Sequence, residues 1–292
     1  MISSSPKTGY LESDFKIFHI TDQPKTVFTP HYHDFHKIFI FLRGNVSYMV
    51  EGKQYELKPD DIVLIQAGEL HRPIVHDRSV YERIMLYLSL AFFSSIKKRG
   101  WDLFRCFGLP GQHHSSLARI SVSQKSRLVP LLGDLAAAAV SREYAAPLYQ
   151  EIKILEFLIF LNRTLLQDPL GYIPPVTANP AILQVMEYIH QNLTRDDLNT
   201  DQIAESVFLN RSYVMHLFKA ETGYTIGSYI TEKRLFLARG YLAEGLSVTE
   251  AGSRCGFKNY AAFYYAYRQK YGCAPTERPG LLPDTQAGPD WE

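Results

Sequence analysis

Short bursts of apolar residues follow one another between about residues 27 and 90: KIFIFL, NVSYMVEG, KQYEL, DIVLIQ and VYERIMLYLSL, separated by RGN, EGK and KPDD. Runs this short, bounded by Gly, Asn, Pro and Asp, predict antiparallel strands of a small barrel or sandwich. No helix of that length tolerates so many breaks. From about residue 91 the spacing becomes helical. SQKSRLVPLLGDLAAAAVSREYAAPLYQEIKILEFLIFLNRTLL predicts two helices, the second over about 145–166 and apolar around most of its circumference between Ile152 and Leu161. Such a helix needs cover on several sides, from its own barrel and from a second copy of the chain. A homodimer is therefore expected.

QDPLGYIPPVTANP, residues 167–180, carries four prolines and predicts a linker. Everything beyond it reads as helix until a Pro- and Gly-rich tail. The fold class expected is α+β, in four parts. Residues 1–166 form a strand-and-helix domain, with a barrel over about 15–90 and helices over about 91–166. A linker spans 167–180, an all-α domain 181–278 and a flexible tail 279–292.

Composition narrows the class only a little. The chain has 292 residues, 46% apolar and 21% charged, enough for two domains of an ordinary globular protein. MISSSPKTGYLESDF has no basic cluster leading into an apolar core, and runs such as IMLYLSLAFF are too short to span a bilayer, so a cytoplasmic protein without membrane contact is expected. Cys106, Cys255 and Cys273 are widely spaced and form no CxxC pair, which points to buried thiols. Net charge is +1, but Arg254, Lys258, Arg268, Lys270 and Arg278 face a single acid, Glu277, between 254 and 278. One end of the chain is locally basic.

Two segments of similar grammar occupy that end: LNTDQIAESVFLNRSYVMHLFKAETGYTIGSYI and SVTEAGSRCGFKNYAAFYYAYRQKYGCAP. Each holds a short helix with a small residue (Ala204, Ala251), a turn, and a second helix ending before Gly. This is helix, turn, helix, twice. Gly256 offers the positive φ that the second turn requires. On AESVFLNRSYVMHLFKAETG, the joining helix YITEKRLFLARGYL and VTEAGSRCGFKNYAAFYYAYRQKYGCAP, residues 182–278 resemble the DNA-binding domain of the AraC/XylS family. The chain departs from that family where Pro275 is followed by Thr276, Glu277 and Arg278, which sets the closing arginine one place early.

The resemblance implies two recognition helices entering successive major grooves about 34 Å apart. Carried over by position, the first presents Ser212, Tyr213, Met215 and His216 to base edges, with Asn210 and Arg211 nearer the backbone. The second presents Tyr260, Ala261, Tyr264 and Tyr265, with Lys258, Asn259 and Arg268 available to phosphates. No arginine stands among these base readers, so thymine methyls, hydroxyl hydrogen bonds and DNA shape are expected to outweigh bidentate guanine reading.

HYHDFHK, residues 31–37, sets three histidines in six positions. With QAGELH further on, it resembles the motifs of the cupin-like sensor domain that precedes this DNA-binding domain in the family. His31, His33, Gly44, Gly68 and His71 match, while Lys37 stands where cupins carry glutamate. In a regular strand 31, 33, 35 and 37 share one side, so an ammonium would sit beside the imidazoles and His36 would face away. An ammonium supplies no metal ligand. The expected ligand-binding set is His31, His33, Lys37, Tyr48, His71 and Tyr87, with Phe39 and Phe41 as further aromatic wall. Its ligand would be a sugar or another polar metabolite, with no metal or other cofactor. A metal held by His31, His33 and His71 is the alternative.

The function expected is a sequence-specific DNA-binding transcription regulator, and no enzyme. A small molecule in the barrel would control it, it would contact RNA polymerase, and the family tendency is activation. A metal-dependent cupin enzyme with an accessory helical domain is the competing reading.

Overall fold

The computed structural model describes residues 11, 13–23, 28–108, 115–167 and 171–277. Arg278 and the tail 279–292, expected to be flexible, lie outside them. The chain divides into two compact units, the first ending at Thr177 and the second beginning at Ala178.

In the first unit, β1 (Phe15–Asp22), β2 (His36–Arg43), β5 (Ile62–Ile65), β7 (Tyr81–Leu88), β8 (Leu117–Ala118) and β9 (Tyr172–Ile173) form one sheet, ordered β1-β7-β2-β5-β8-β9. A second sheet is ordered β10-β4-β3-β6, from β3 (Val46–Val50), β4 (Lys53–Glu56), β6 (His71–Val75) and β10 (Thr177–Ala178). The two faces of β2 are both buried. Ile38 and Ile40 enter a core with Leu64, Leu86, Leu88 and the helices, whereas Phe39 and Phe41 enter a second core with Tyr48, Tyr55, Tyr81 and Tyr87.

The helices cover the first of these faces. α1 (Leu90–Lys98) starts at Ser89, whose hydroxyl accepts the Phe92 N–H, and a 3-10 turn follows at Leu103–Phe107. α2 (Val122–Val140) and α3 (Ala146–Gln167) supply Leu128, Leu132, Leu135, Ile154, Phe157, Leu158 and Leu161 to the core. Fully buried Asp61 receives both Nε and NH2 of Arg119 at 2.7 Å, which ties the strand to the chain just ahead of α2.

Part of the proline-rich stretch expected to be linker is bound to the barrel. Leu117 pairs with Ile173, Gly171 O accepts from Arg119 N at 2.7 Å, and Val176 N donates to Gln54 O at 2.8 Å. Two-residue pairings carry no period, so composition alone hides them.

The second unit is helical: α4 (Pro180–Asn192), α5 (Thr200–Ser206), α6 (Arg211–Thr222), α7 (Ile226–Ala243), α8 (Val248–Arg254) and α9 (Tyr260–Tyr271). Its two helix-turn-helix units share a turn geometry. Leu209 N donates to Ala204 O at 3.1 Å, and Phe257 N donates to Gly252 O at 3.2 Å. The left-handed residue of the first turn is Phe208 (φ 55°) and that of the second is Gly256 (φ 85°). A Cβ on Gly256 would lie 2.8 Å from the Thr194 carbonyl, and one on Gly252 would lie 2.8 Å from the Phe263 ring. Helices α8 and α9 therefore cross on bare backbone.

Arg234, in the joining helix α7, closes the end of α4, donating to Leu193 O at 2.9 Å and Arg195 O at 2.5 Å. Its role is structural. Phe208 is 95% exposed and holds a left-handed backbone that costs a side-chain-bearing residue about 1–2 kcal/mol. Equilibrium denaturation should find Phe208→Gly more stable by about 0.5–1 kcal/mol, and Gly256→Ala less stable by at least about 2 kcal/mol.

Candidate ligand pocket and nucleic-acid interface

The segment ahead of β2 is irregular, not the continuous strand expected, yet it gathers the histidines. His31 and His71 form an isolated bridge, each N–H donating to the other's carbonyl at 3.1 and 2.8 Å. His33 O accepts from Gly68 N at 2.7 Å. Gly68, at φ 82°, turns the 66–71 loop. Glu69 and Glu51 carboxylates brace that loop by accepting the Gln66 and Leu70 N–H groups at 2.6 and 2.7 Å. The ring centroids of His31, His33 and His71 lie 4.6–5.0 Å apart. His33 stacks on Phe35, and Phe35 packs on Tyr87.

Lys37 enters the interior on the same side, 2% exposed, with Nζ 5.6 Å from the Tyr87 ring centroid. Lys37, Phe39, Tyr48, Tyr81 and Arg83 line a small cavity with Phe28, Pro73 and Met85. Phe41 and Tyr87, expected as wall, pack within the same aromatic core but do not line it. Arg83 is held by both oxygens of Asp22 at 2.8 and 3.0 Å and lies 4.0 Å over the Tyr81 ring. The cavity leaves about 20 Å³ for the centres of water-sized molecules. That is room for a water or two, so a metabolite must move side chains to enter.

Burial and the neighbouring His31, Lys37 and His33 hold the His71 imidazole well below its ordinary range. His36 faces the opposite layer. It packs against Phe93, Phe104 and Phe107, and its Nδ1 accepts the Ala67 N–H at 3.0 Å. Burial lowers it from 6.5 to about 4.

Between those two pH values the unfolded chain binds a proton that the folded chain refuses, so stability is full above about pH 6.5 and declines toward pH 4. One such group contributes on the order of 3 kcal/mol, and His71 adds a loss of the same sign. His36→Asn keeps an acceptor near Ala67 but does not titrate. Its denaturation free energy should therefore fall less steeply below pH 6.5.

In the second unit the residues expected to meet DNA are at the surface. Asn210, Arg211, Ser212, Tyr213, Met215 and His216 are exposed at the start of α6, while Val214 and Phe218 are core. Lys258, Asn259, Tyr260, Ala261, Tyr265 and Arg268 are exposed around α9, with Phe263, Tyr267 and Tyr271 buried behind them. Tyr264 is half-buried between Tyr260 and Tyr265, at 5.9 and 6.1 Å. Asn210 and Asn259 are the caps of their helices, accepting from Ser212 N and Ala262 N at 2.8 Å. Arg211 meets Asp201 at 3.3 Å in an exposed pair. Sequence reasoning missed Phe208; the signal available was a bulky residue where the second unit carries Gly256.

Two family descriptions match this architecture: "AraC-like ligand binding domain" over residues 17–158 and "Helix-turn-helix domain" over residues 185–278. The chain belongs to the AraC family of transcriptional regulators. A ligand-binding domain precedes a helix-turn-helix domain in this chain. The HTH-type transcriptional activator RhaS of Salmonella schwarzengrund is 25% identical over 264 residues, covering 87% of this chain and 88% of RhaS. RhaS of Shigella sonnei is 24% identical over 271 residues, covering 89% and 91%. ToxT from Vibrio cholerae, a solved structure, is 14% identical with a TM-score of 0.36, covering 91% of this chain and 96% of its own. No helix among the described residues is long and apolar enough to cross a membrane.

Proposed function

We propose that this protein is a cytoplasmic homodimeric activator, with two recognition helices that read an asymmetric DNA site under the control of a small polar molecule in the barrel. The observation that carries the DNA reading is the exposed aromatic face of α9. Tyr265 is 72% exposed although Phe263, Tyr267 and Tyr271 already supply the core. Tyr260, Ala261, Tyr264 and Tyr265 read bases together with Ser212, Tyr213, Met215 and His216 of α6. Lys258, Arg268 and Arg211 meet phosphates. Asn210 and Asn259 serve the backbone through the helix N-termini they cap.

His31, His33, Lys37, Tyr48, His71 and Tyr87 receive the effector, a sugar or other polar metabolite. Lys37 and Arg83 at the cavity favour one that carries hydroxyl or anionic oxygen. Activation is supported by the RhaS relatives, which are transcriptional activators; contact with RNA polymerase is the step by which this chain would act. No catalytic step is needed, and lysine in the place of a cupin glutamate speaks against the enzyme reading.

Dimerisation is assigned to α3. Leu148, Ile152, Ile159 and Leu166 are exposed and fall at spacings of four and seven, on one stripe opposite the buried Ile154, Phe157 and Leu161. Sedimentation should therefore find a dimer, and Ile152→Glu with Ile159→Glu a folded monomer, at micromolar concentration.

DNA binding tests the reading as a whole, on duplexes from upstream of the protein's own operon. Arg268→Ala should weaken every duplex by a similar factor and reduce the salt slope by about one. Tyr265→Ala should change the order of preference among sequences, at a cost of about 1–3 kcal/mol on the best one. Equal losses on all duplexes for Tyr265→Ala would remove its role as a reader.

A further inference from the structure

Four residues other than glycine hold a positive φ among the described residues: Glu51, Asp60, Ala145 and Phe208. A bulky side chain in that region is strained, and such strain persists where it serves something. Three of the four have a use, or little strain, inside the fold. Glu51 accepts the Leu70 N–H on its carboxylate at 2.7 Å, Asp60 holds Lys125 at 2.8 Å, and Ala145 carries only a methyl group. Phe208 differs from all of them. It is 95% exposed, and its ring meets no other ring among the described residues.

The turn that carries it is nevertheless well fixed. Phe208 N donates to Glu205 O at 3.1 Å and Leu209 N to Ala204 O at 3.1 Å. Val207 is buried on one side of Phe208 and Leu209 half-buried on the other, so the ring between them is left in solvent. At the matching place of the second unit Gly256 holds φ 85° without that cost. A single exposed apolar residue is ordinary. One that also strains its own backbone is not.

Its place in the chain points to the partner. Phe208 lies two residues ahead of Asn210, the cap of α6, and three ahead of Arg211. In a helix-turn-helix the first residues of the second helix reach base edges, so the residue just before them stands at the rim of the same groove. A phenyl ring carries no charge and makes no ordinary hydrogen bond, so phosphates and polar base edges offer it nothing. The apolar group that the major groove displays is the thymine C5 methyl.

We propose that Phe208 reads DNA from the turn, placing its ring against the C5 methyl of one thymine beside the bases met by α6. This rests on the DNA reading above and adds a contact from outside both recognition helices. The strain of the turn then serves specificity: a relaxed turn folds better and loses the contact. No charge takes part, so the contact leaves the salt dependence of binding unchanged.

The test uses the full-length chain and a duplex that the wild-type protein selects from a random library. Each thymine is replaced in turn by deoxyuridine, which removes only the C5 methyl. Phe208→Gly should melt at a higher temperature yet bind about fivefold more weakly, with the same salt slope. Phe208→Ala, which keeps a Cβ in the strained turn, should lose the same factor. Removal of one particular methyl should cost the wild type about fivefold and cost Phe208→Gly nothing further. That coupling is a readout which a merely structural role would not move. Wild-type affinity in Phe208→Gly and Phe208→Ala, or a loss that no deoxyuridine position cancels, overturns the assignment. So does a Phe208→Gly chain that binds DNA normally but fails to activate transcription, which would turn the ring toward a protein partner. Selection of no duplex at all by the wild-type chain is the distinct result that removes the DNA reading itself, and this contact with it.

Discussion

The alternation of side chains along β2 is the constraint on which the sensor unit depends. Buried on both faces, this strand divides the unit into an aromatic interior and an aliphatic layer under the helices. Because successive residues point to opposite faces, one step along the chain separates two chemistries. His36 is turned into a shell of phenylalanines and kept neutral, while Lys37 is turned inward, toward the cavity. A slip of one register would exchange them, placing an ammonium among Phe93, Phe104 and Phe107.

The reader unit depends on close backbone approach instead. Its second helix pair crosses where Gly252 meets Phe263, the turn of that pair packs Gly256 against the Thr194 carbonyl just past α4, and α4 is clamped to α7 by Arg234. Those contacts take the inner residues of α9 into the core and leave its other side to solvent. The first pair repeats the hydrogen bonds but carries Phe208 in the strained position. The two halves share a geometry and differ in the conformational strain of their turns.

Much of this was legible in the chain, for reasons that can be stated residue by residue. The two helix-turn-helix units announced themselves because their signals are local: a small residue, a turn and an aromatic core stripe within about thirty residues. The opposite facing of His36 and Lys37 followed from parity alone, although the strand begins only at His36. Strand β1, FKIFHITD, lies ahead of the strand-rich run of 27–90, and β6 was obscured by Pro73. The short pairings of Leu117 with Ile173 and of Val176 with Gln54 join distant residues without any period. The Glu69 carbonyl beside His71 Nδ1 was illegible for the same reason, since Glu69 belongs to a loop whose shape is set by Gly68 and Glu51. The clamp made by Arg234 was illegible too, because its partners, the carbonyls of Leu193 and Arg195, lie about forty residues away in the chain.

The cysteines have a practical consequence. Cys106 and Cys255 are buried, with thiols pushed up to about 12 by the loss of water around them. Cys273, half-buried and just past the Gly272 that ends α9, is the more accessible one, although partial burial and Glu277 raise its thiol as well. Thiolate is the reactive form, so a maleimide dye has one accessible target and two that burial withholds. A single fluorophore can thus be seated at the foot of the second recognition helix in the unmodified sequence, giving an optical reporter of that helix without engineering a new attachment point.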